Sequence, residues 1–112
     1  MIIEAVTRDY LQDVLKVNAY TEKEPSMPAE YVLIEKTGSG GENFIYTAQL
    51  AIQSYSTSQA DAADLNERVK AAMAEINNLT NISKCTLNSD YNDPDENIKI
   101  HRYQAVFDLV YM

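Results

Sequence analysis

Three groups of residues in this chain have side chains that chemistry could use. Cys85 and His101 are the only cysteine and the only histidine, and a thiol beside an imidazole can serve as nucleophile and base. That pairing also needs a third group to orient the imidazole and a depressed thiol pKa. Cys85 stands two residues from Leu87 in an apolar-patterned run, the place of a small buried hydrophobe. His101 lies in a strand-like run beside Lys99 and Arg102. One cysteine and one histidine are also too few for a zinc centre. The second group is acidic: Asp90, Asn92, Asp93, Asp95 and Glu96. A calcium loop counted from Asp90 would need an oxygen ligand at position 5, glycine at position 6 and glutamate at position 12. Pro94, Asp95 and His101 stand there instead, so the run is expected to be a solvated turn. The third group is Gly38-Ser39-Gly40-Gly41. A phosphate-cradling loop would continue with lysine and open a helix, whereas Glu42 follows here and then strand-forming residues. No catalytic residue, cofactor or metal site is expected.

The elements around these residues explain the glycines better. All three glycines of the chain fall in that one run. The flanking stretches, Tyr31 to Lys36 and Asn43 to Tyr55, are rich in β-branched and aromatic residues. Backbone freedom concentrated between two strands predicts a loose hairpin tip. Phe44, Tyr46, Ala48, Leu50 and Ile52 should share one face of the second strand, opposite Thr47, Gln49 and Gln53. The hairpin has room to extend beyond the body of the fold.

Residues 3 to 17 repeat apolar side chains at helical spacing, with Ile3, Val6, Tyr10, Val14 and Val17 as a stripe widened by Leu11 and Leu15. Glu4, Thr7, Arg8, Gln12 and Asp13 fill the other face. Asn18 to Ala29 contains Pro25 and Pro28 and is expected to be a long loop. Ser58 opens a second helix, with Asp61 three residues on in a capping-box pattern. Leu65, Val69, Ala72, Met73 and Ile76 form its buried stripe, and Asn77-Asn78 ends it. Ile82 to Asn88 is a third strand, Ser89 to Glu96 an acidic loop, and Ile98 to Tyr111 a long final strand. The order α-β-β-α-β-β predicts an α+β fold, two helices packed on a four-stranded, mainly antiparallel sheet.

The chain has 112 residues, 46% of them apolar, and a formal charge of −8. That is one domain, residues 1–112, able to bury roughly 65% of its unfolded surface without disulfide staples. The acid at Glu4 does not suit a secretion signal. No run approaches the ~20 apolar residues of a membrane helix. The negative charge opposes the phosphate backbone, so sequence-specific nucleic-acid binding is not expected. Of the eight tyrosines, Tyr20, Tyr31, Tyr46, Tyr55, Tyr91, Tyr103 and Tyr111 fall at strand ends or loops, where a ring can serve an interface or a half-buried sheet.

Five stretches, taken in order, resemble one family: Tyr31-Val-Leu-Ile-Glu-Lys-Thr-Gly38, Ala51-Ile-Gln-Ser-Tyr55, Ala62-Ala-Asp-Leu-Asn-Glu-Arg-Val-Lys-Ala-Ala-Met73, Leu87-Asn-Ser-Asp-Tyr-Asn92 and Arg102-Tyr-Gln-Ala-Val-Phe-Asp-Leu-Val110. Together they are similar to the tail terminator, or tail completion, proteins of long-tailed phages and prophages of Gram-positive bacteria. The match covers Tyr31 to the C-terminus. The resemblance implies a non-catalytic subunit without cofactor that assembles into a hexameric ring. That ring would cap the tail tube and meet the head–tail connector protein, so its partners would be copies of itself, the tube protein and the connector. It would be found in the virion, and in the host cytoplasm during assembly. Head-completion, adaptor and tail-tube subunits, or a small prophage binding module, are the alternative roles. The resemblance covers Glu42-Asn43-Phe44 and Asn88 to Tyr91 as ring or tube contacts; together with the glycine-bearing hairpin this sets the expected assembly interface at Gly38, Gly40, Gly41, Glu42, Phe44, Asp90 and Tyr91. An acidic wall would suit a channel through which DNA must slide.

Overall fold

The computed structural model describes residues 1–94 and 100–112. Its elements are α1 (Ile3–Leu15), β1 (Asn18–Tyr20), β2 (Tyr31–Glu42), β3 (Ile45–Ser56), α2 (Gln59–Met73), β4 (Ile82–Asn92) and β5 (His101–Tyr111), with a 3-10 turn at Ile76–Asn78. Both helices lie on one face of a five-stranded mixed sheet of order β1-β2-β3-β5-β4. The α+β class is as expected; the four-stranded sheet is not. The extra strand, β1, runs parallel to β2 and pairs Asn18–Tyr20 with Tyr31–Leu33, while the other pairings are antiparallel. Three residues are too few to display a period of two, and the prolines that follow disguise the run as loop. The chain from β1 to β2 carries Met27 onto the face of the sheet away from the helices, where it packs with Tyr20 against Tyr31, Leu33 and Tyr55.

The main core lies between the helices and the inner face of the sheet. Val32 and Ile34 of β2, Leu50 and Ile52 of β3, and Phe107 and Leu109 of β5 meet Leu11 of α1 and Leu65, Val69 and Met73 of α2. Each such side chain, fully buried, contributes about 1.5–3 kcal/mol relative to exposure. The α2 stripe is as its spacing predicts, with Ile76 buried in the 3-10 turn. Ser58 caps the helix by accepting the Asp61 backbone N–H at 3.1 Å. The helix ends at Met73, before Asn77-Asn78.

In α1 the expected stripe is rotated. Thr7 is buried and Val14 is exposed. Thr7 can enter the core because its hydroxyl donates to the Ile3 carbonyl at 2.8 Å, so no polar group is stranded. The helix stops at Leu15, short of residue 17, because Lys16 turns left-handed (φ 58°) and its N–H closes on the Gln12 carbonyl at 3.1 Å.

The hairpin differs most from expectation. β2 does not stop at Lys36; it runs through the glycines to Glu42, with one irregularity at Thr37. No glycine has positive φ. The tip is instead Asn43-Phe44, with φ of 53° and 66°, between the paired residues Glu42 and Ile45. Positive φ at both central residues is the geometry of a type I′ turn, whose twist matches that of the strands it joins. The hairpin does not stand free, since β5 pairs with β3 as far as Tyr46↔Tyr111. The acidic loop is shorter than expected, because Ser89 to Asn92 belong to β4. Asp95 and Glu96 of that loop, and Ile98 of the last strand, lie outside the described residues, as does Lys99.

Candidate functional site

The residues expected to form an interface occupy two edges of the sheet. Gly38, Gly40, Gly41 and Glu42 line the outer half of β2, and Phe44 follows in the turn. Asp90 and Tyr91 lie on β4, the opposite edge. With β3 and β5 between them, the two edges are about 14 Å apart at the ordinary strand spacing. One chain therefore does not bring these residues together.

The β2 side is bare. A Cβ added at Gly38 would meet nothing nearer than the Gln49 Cβ at 4.0 Å. One at Gly41 would come within 2.8 Å of the Tyr46 ring, so that glycine is needed for packing. Tyr46 in turn stacks on Tyr111, ring centroids 5.7 Å apart. Phe44 is 84% exposed, and Ile45 beside it is also exposed. The expected inward face of β3 therefore holds for Ala48, Leu50 and Ile52; Tyr46 is exposed, and Phe44 lies in the turn in solvent. A bulky side chain in the left-handed region costs about 1–2 kcal/mol. Strain of that kind persists where a function holds it.

The β4 side is anchored to α2. The Asp90 carboxylate accepts from the Asn66 amide and the Lys70 ammonium, both at 3.1 Å. The Asp90 hydrogen bond, then that of Glu67, raises the Lys70 pKa. Asn66 is fully buried. Its role was missed in the sequence, where an asparagine among helix-formers carries no periodic signal. Tyr91 points to the other face and accepts from the Gln104 amide.

That outer face carries two polar rows across the strands. In the first, Gln53 donates to Gln104 at 2.9 Å, the Tyr55 hydroxyl donates to Gln53 at 3.0 Å, and Arg102 donates to the Tyr55 hydroxyl at 3.1 Å. Arg102 also pairs with Asp93 at 3.0 Å. In the second, Thr37 donates to Gln49 at 3.0 Å, and Gln49 and Asn88 both donate to Asp108, at 3.2 and 3.0 Å. Beneath the first row the Tyr31 and Tyr55 rings stack with centroids 4.4 Å apart. Such rows tie four strands into one plate.

Cys85 and His101 do not meet. Their β5 positions, Leu109 for Cys85 and His101 itself, are separated by roughly 25 Å of strand. Burial, aided by the Asp108 charge, pushes the Cys85 thiol up to about 11, the reverse of an activated nucleophile. Leu87, expected to be buried with it, is exposed at the sheet edge. Among the described residues no three His, Cys, Asp or Glu side chains gather as a metal site, and no helix is long and apolar enough to cross a membrane. An apolar surface depression lies between α1 and α2, at Tyr10, Val14, Leu15 and Ala72. No model of a known protein family matches the chain, and comparison with curated proteins finds no match.

Proposed function

We propose that this chain is a structural subunit of a phage tail, a terminator that closes the tube as a ring and offers its other side to the head connector. The observation that carries this reading is Phe44, an aromatic ring held in solvent at a strained two-residue turn. Its own chain derives little packing from it, so the strain finds its reason in a surface outside the subunit. The resemblance of Tyr31–Val110 to tail terminators supplies the kind of surface, copies of the chain and the end of a tube. A closed ring needs two different patches per subunit, and the Gly38–Phe44 and Asp90–Tyr91 groups on opposite sheet edges suit that requirement. The net charge of −8 suits a wall past which DNA slides.

Ring formation, followed by light scattering, tests the proposal with Phe44→Ala and Tyr91→Ala made singly. Each variant is expected to assemble poorly while keeping its circular dichroism spectrum. Unchanged assembly in both would remove these residues from the interface.

A further inference from the structure

Among the described residues the sheet ends in two edges with unpaired stretches, and they match each other. β1 covers β2 only at Tyr31–Leu33, which leaves the edge from Ile34 to Glu42 open. β4 is the last strand on the other side, and its segment from Lys84 to Asn92 has the same length as that open edge. β2 and β4 run in opposite directions, because three successive antiparallel pairings separate them. Side-by-side repetition of the sheet therefore sets β4 of one copy antiparallel to β2 of the next.

One register pairs opposite charges at two points along this seam. With Glu42 opposite Lys84, Lys36 falls opposite Asp90. The faces agree as well. Lys36, Ser39 and Gly41 share the helix-covered face of the sheet with Asp90, Leu87 and Cys85. Glu35, Gly40 and Glu42 share the other face with Tyr91, Thr86 and Lys84. The irregularity of β2 at Thr37 lies one position from that of β4 at Asn88, so each strand has one extra residue between the flanking pairs Lys36–Asp90 and Ser39–Leu87. Lys36 lies 3.9 Å from Glu4, and Asp90 lies 3.1 Å from Lys70. The seam would join these pairs into one alternating row of four charges.

Exposed edges ordinarily carry lysine, proline or inward charges that repel a neighbouring strand. Here the edge charges, Lys36 and Glu42 on β2 and Asp90 and Lys84 on β4, are opposite in sign across the seam. At Gly38 the fold itself leaves a side chain room, and glycine inside a strand marks the close approach of another backbone.

We propose that the open edge of β2 binds β4 of a second copy of this chain, antiparallel, with Glu42 opposite Lys84 and Lys36 opposite Asp90. The contact takes from the preceding section only that copies associate head to tail.

Cysteine cross-linking tests it in a Cys85→Ser background. Ser39→Cys is combined with Leu87→Cys, and Gly40→Cys with Thr86→Cys; adjacent pairs alternate in hydrogen-bond pattern, so one of the two has disulfide geometry. Within a chain the paired positions are about 14 Å apart, too far for a bridge. Mild oxidation should convert at least one double variant into a ladder of covalent oligomers, and no single variant. Absence of a ladder in both double variants, or dimers from Ser39→Cys alone in equal yield, would overturn the seam. If the double variants fail to fold by circular dichroism, charge exchange decides. Glu42→Lys and Lys84→Glu should each weaken self-association in sedimentation severalfold, and the two together should restore it; no restoration overturns the register. A ladder from protein that does not bind tail tubes would keep the seam and remove the phage role, and tube binding without a ladder would do the reverse.

Discussion

Replacing Gly38 by alanine should stabilise the isolated chain. The backbone there has no positive φ, and the new Cβ would find only the Gln49 Cβ, at 4.0 Å. Alanine inside a strand gains about 0.5–1 kcal/mol over glycine, mostly by restricting the unfolded chain. For a domain of this size that raises Tm by about 2–6 °C. The neighbouring glycines should grade the effect. At Gly40 the Cβ would lie 3.1 Å from the Thr47 hydroxyl, which can rotate away, so the change should be near zero. At Gly41 it would lie 2.8 Å from the Tyr46 ring and 3.2 Å from the Ile45 carbonyl. The ring must then leave Tyr111, and stacking of that kind is worth about 0.5–1.5 kcal/mol, so Gly41→Ala should destabilise. The assay is thermal and urea denaturation of dilute protein, followed by circular dichroism. A loss of about 1 kcal/mol or more in Gly38→Ala, beyond the roughly 0.5 kcal/mol scatter of neutral surface sites, would refute the reasoning: the fold itself would need that glycine.

Phe44→Ala should change stability by less than about 1 kcal/mol, since the ring is 84% exposed, and urea midpoints will measure it. Asp90→Ala leaves the buried Asn66 amide without its acceptor and should cost about 1–3 kcal/mol by the same measurement. Cys85 should react with iodoacetamide at pH 8 about 100-fold more slowly in the folded than in the unfolded chain, because its thiol titrates near 11 rather than near 9. The sign for stability follows from the same shift. The folded chain holds the thiol proton more tightly, so stability should fall as pH rises from about 9 through about 11, and Cys85→Ser should remove that part of the pH dependence in urea titrations.

The helices and the last strand were legible because their apolar residues recur at clean periods. Leu65, Val69, Ala72 and Met73 mark one side of α2, and Ala105, Phe107, Leu109 and Tyr111 one side of β5. β1 was hidden because Asn18–Tyr20 is too short for a pattern and draws its pairing from β2. Thr7 looks polar in the sequence, yet the helix itself satisfies its hydroxyl and the residue is buried. The glycine run misled because glycine fits both a loose turn and a bare strand, and only the φ values separate them. Phe44 shares the spacing of the inward face of β3, yet the turn at Asn43-Phe44 puts it in solvent, and Tyr91 is exposed on β4. That Tyr91 lies on the edge opposite β2, with Phe44 in the β2–β3 turn, and that Asp90 is tied to Asn66 and Lys70, depends on contacts between residues far apart in the chain.

Imaging by negative stain tests the central claim most directly. Purified chain mixed with purified, unterminated tail tubes should place a ring on one end of each tube, and Phe44→Ala should leave those ends bare. Tubes whose ends stay uncapped by the unaltered chain, at any protein concentration, would contradict it.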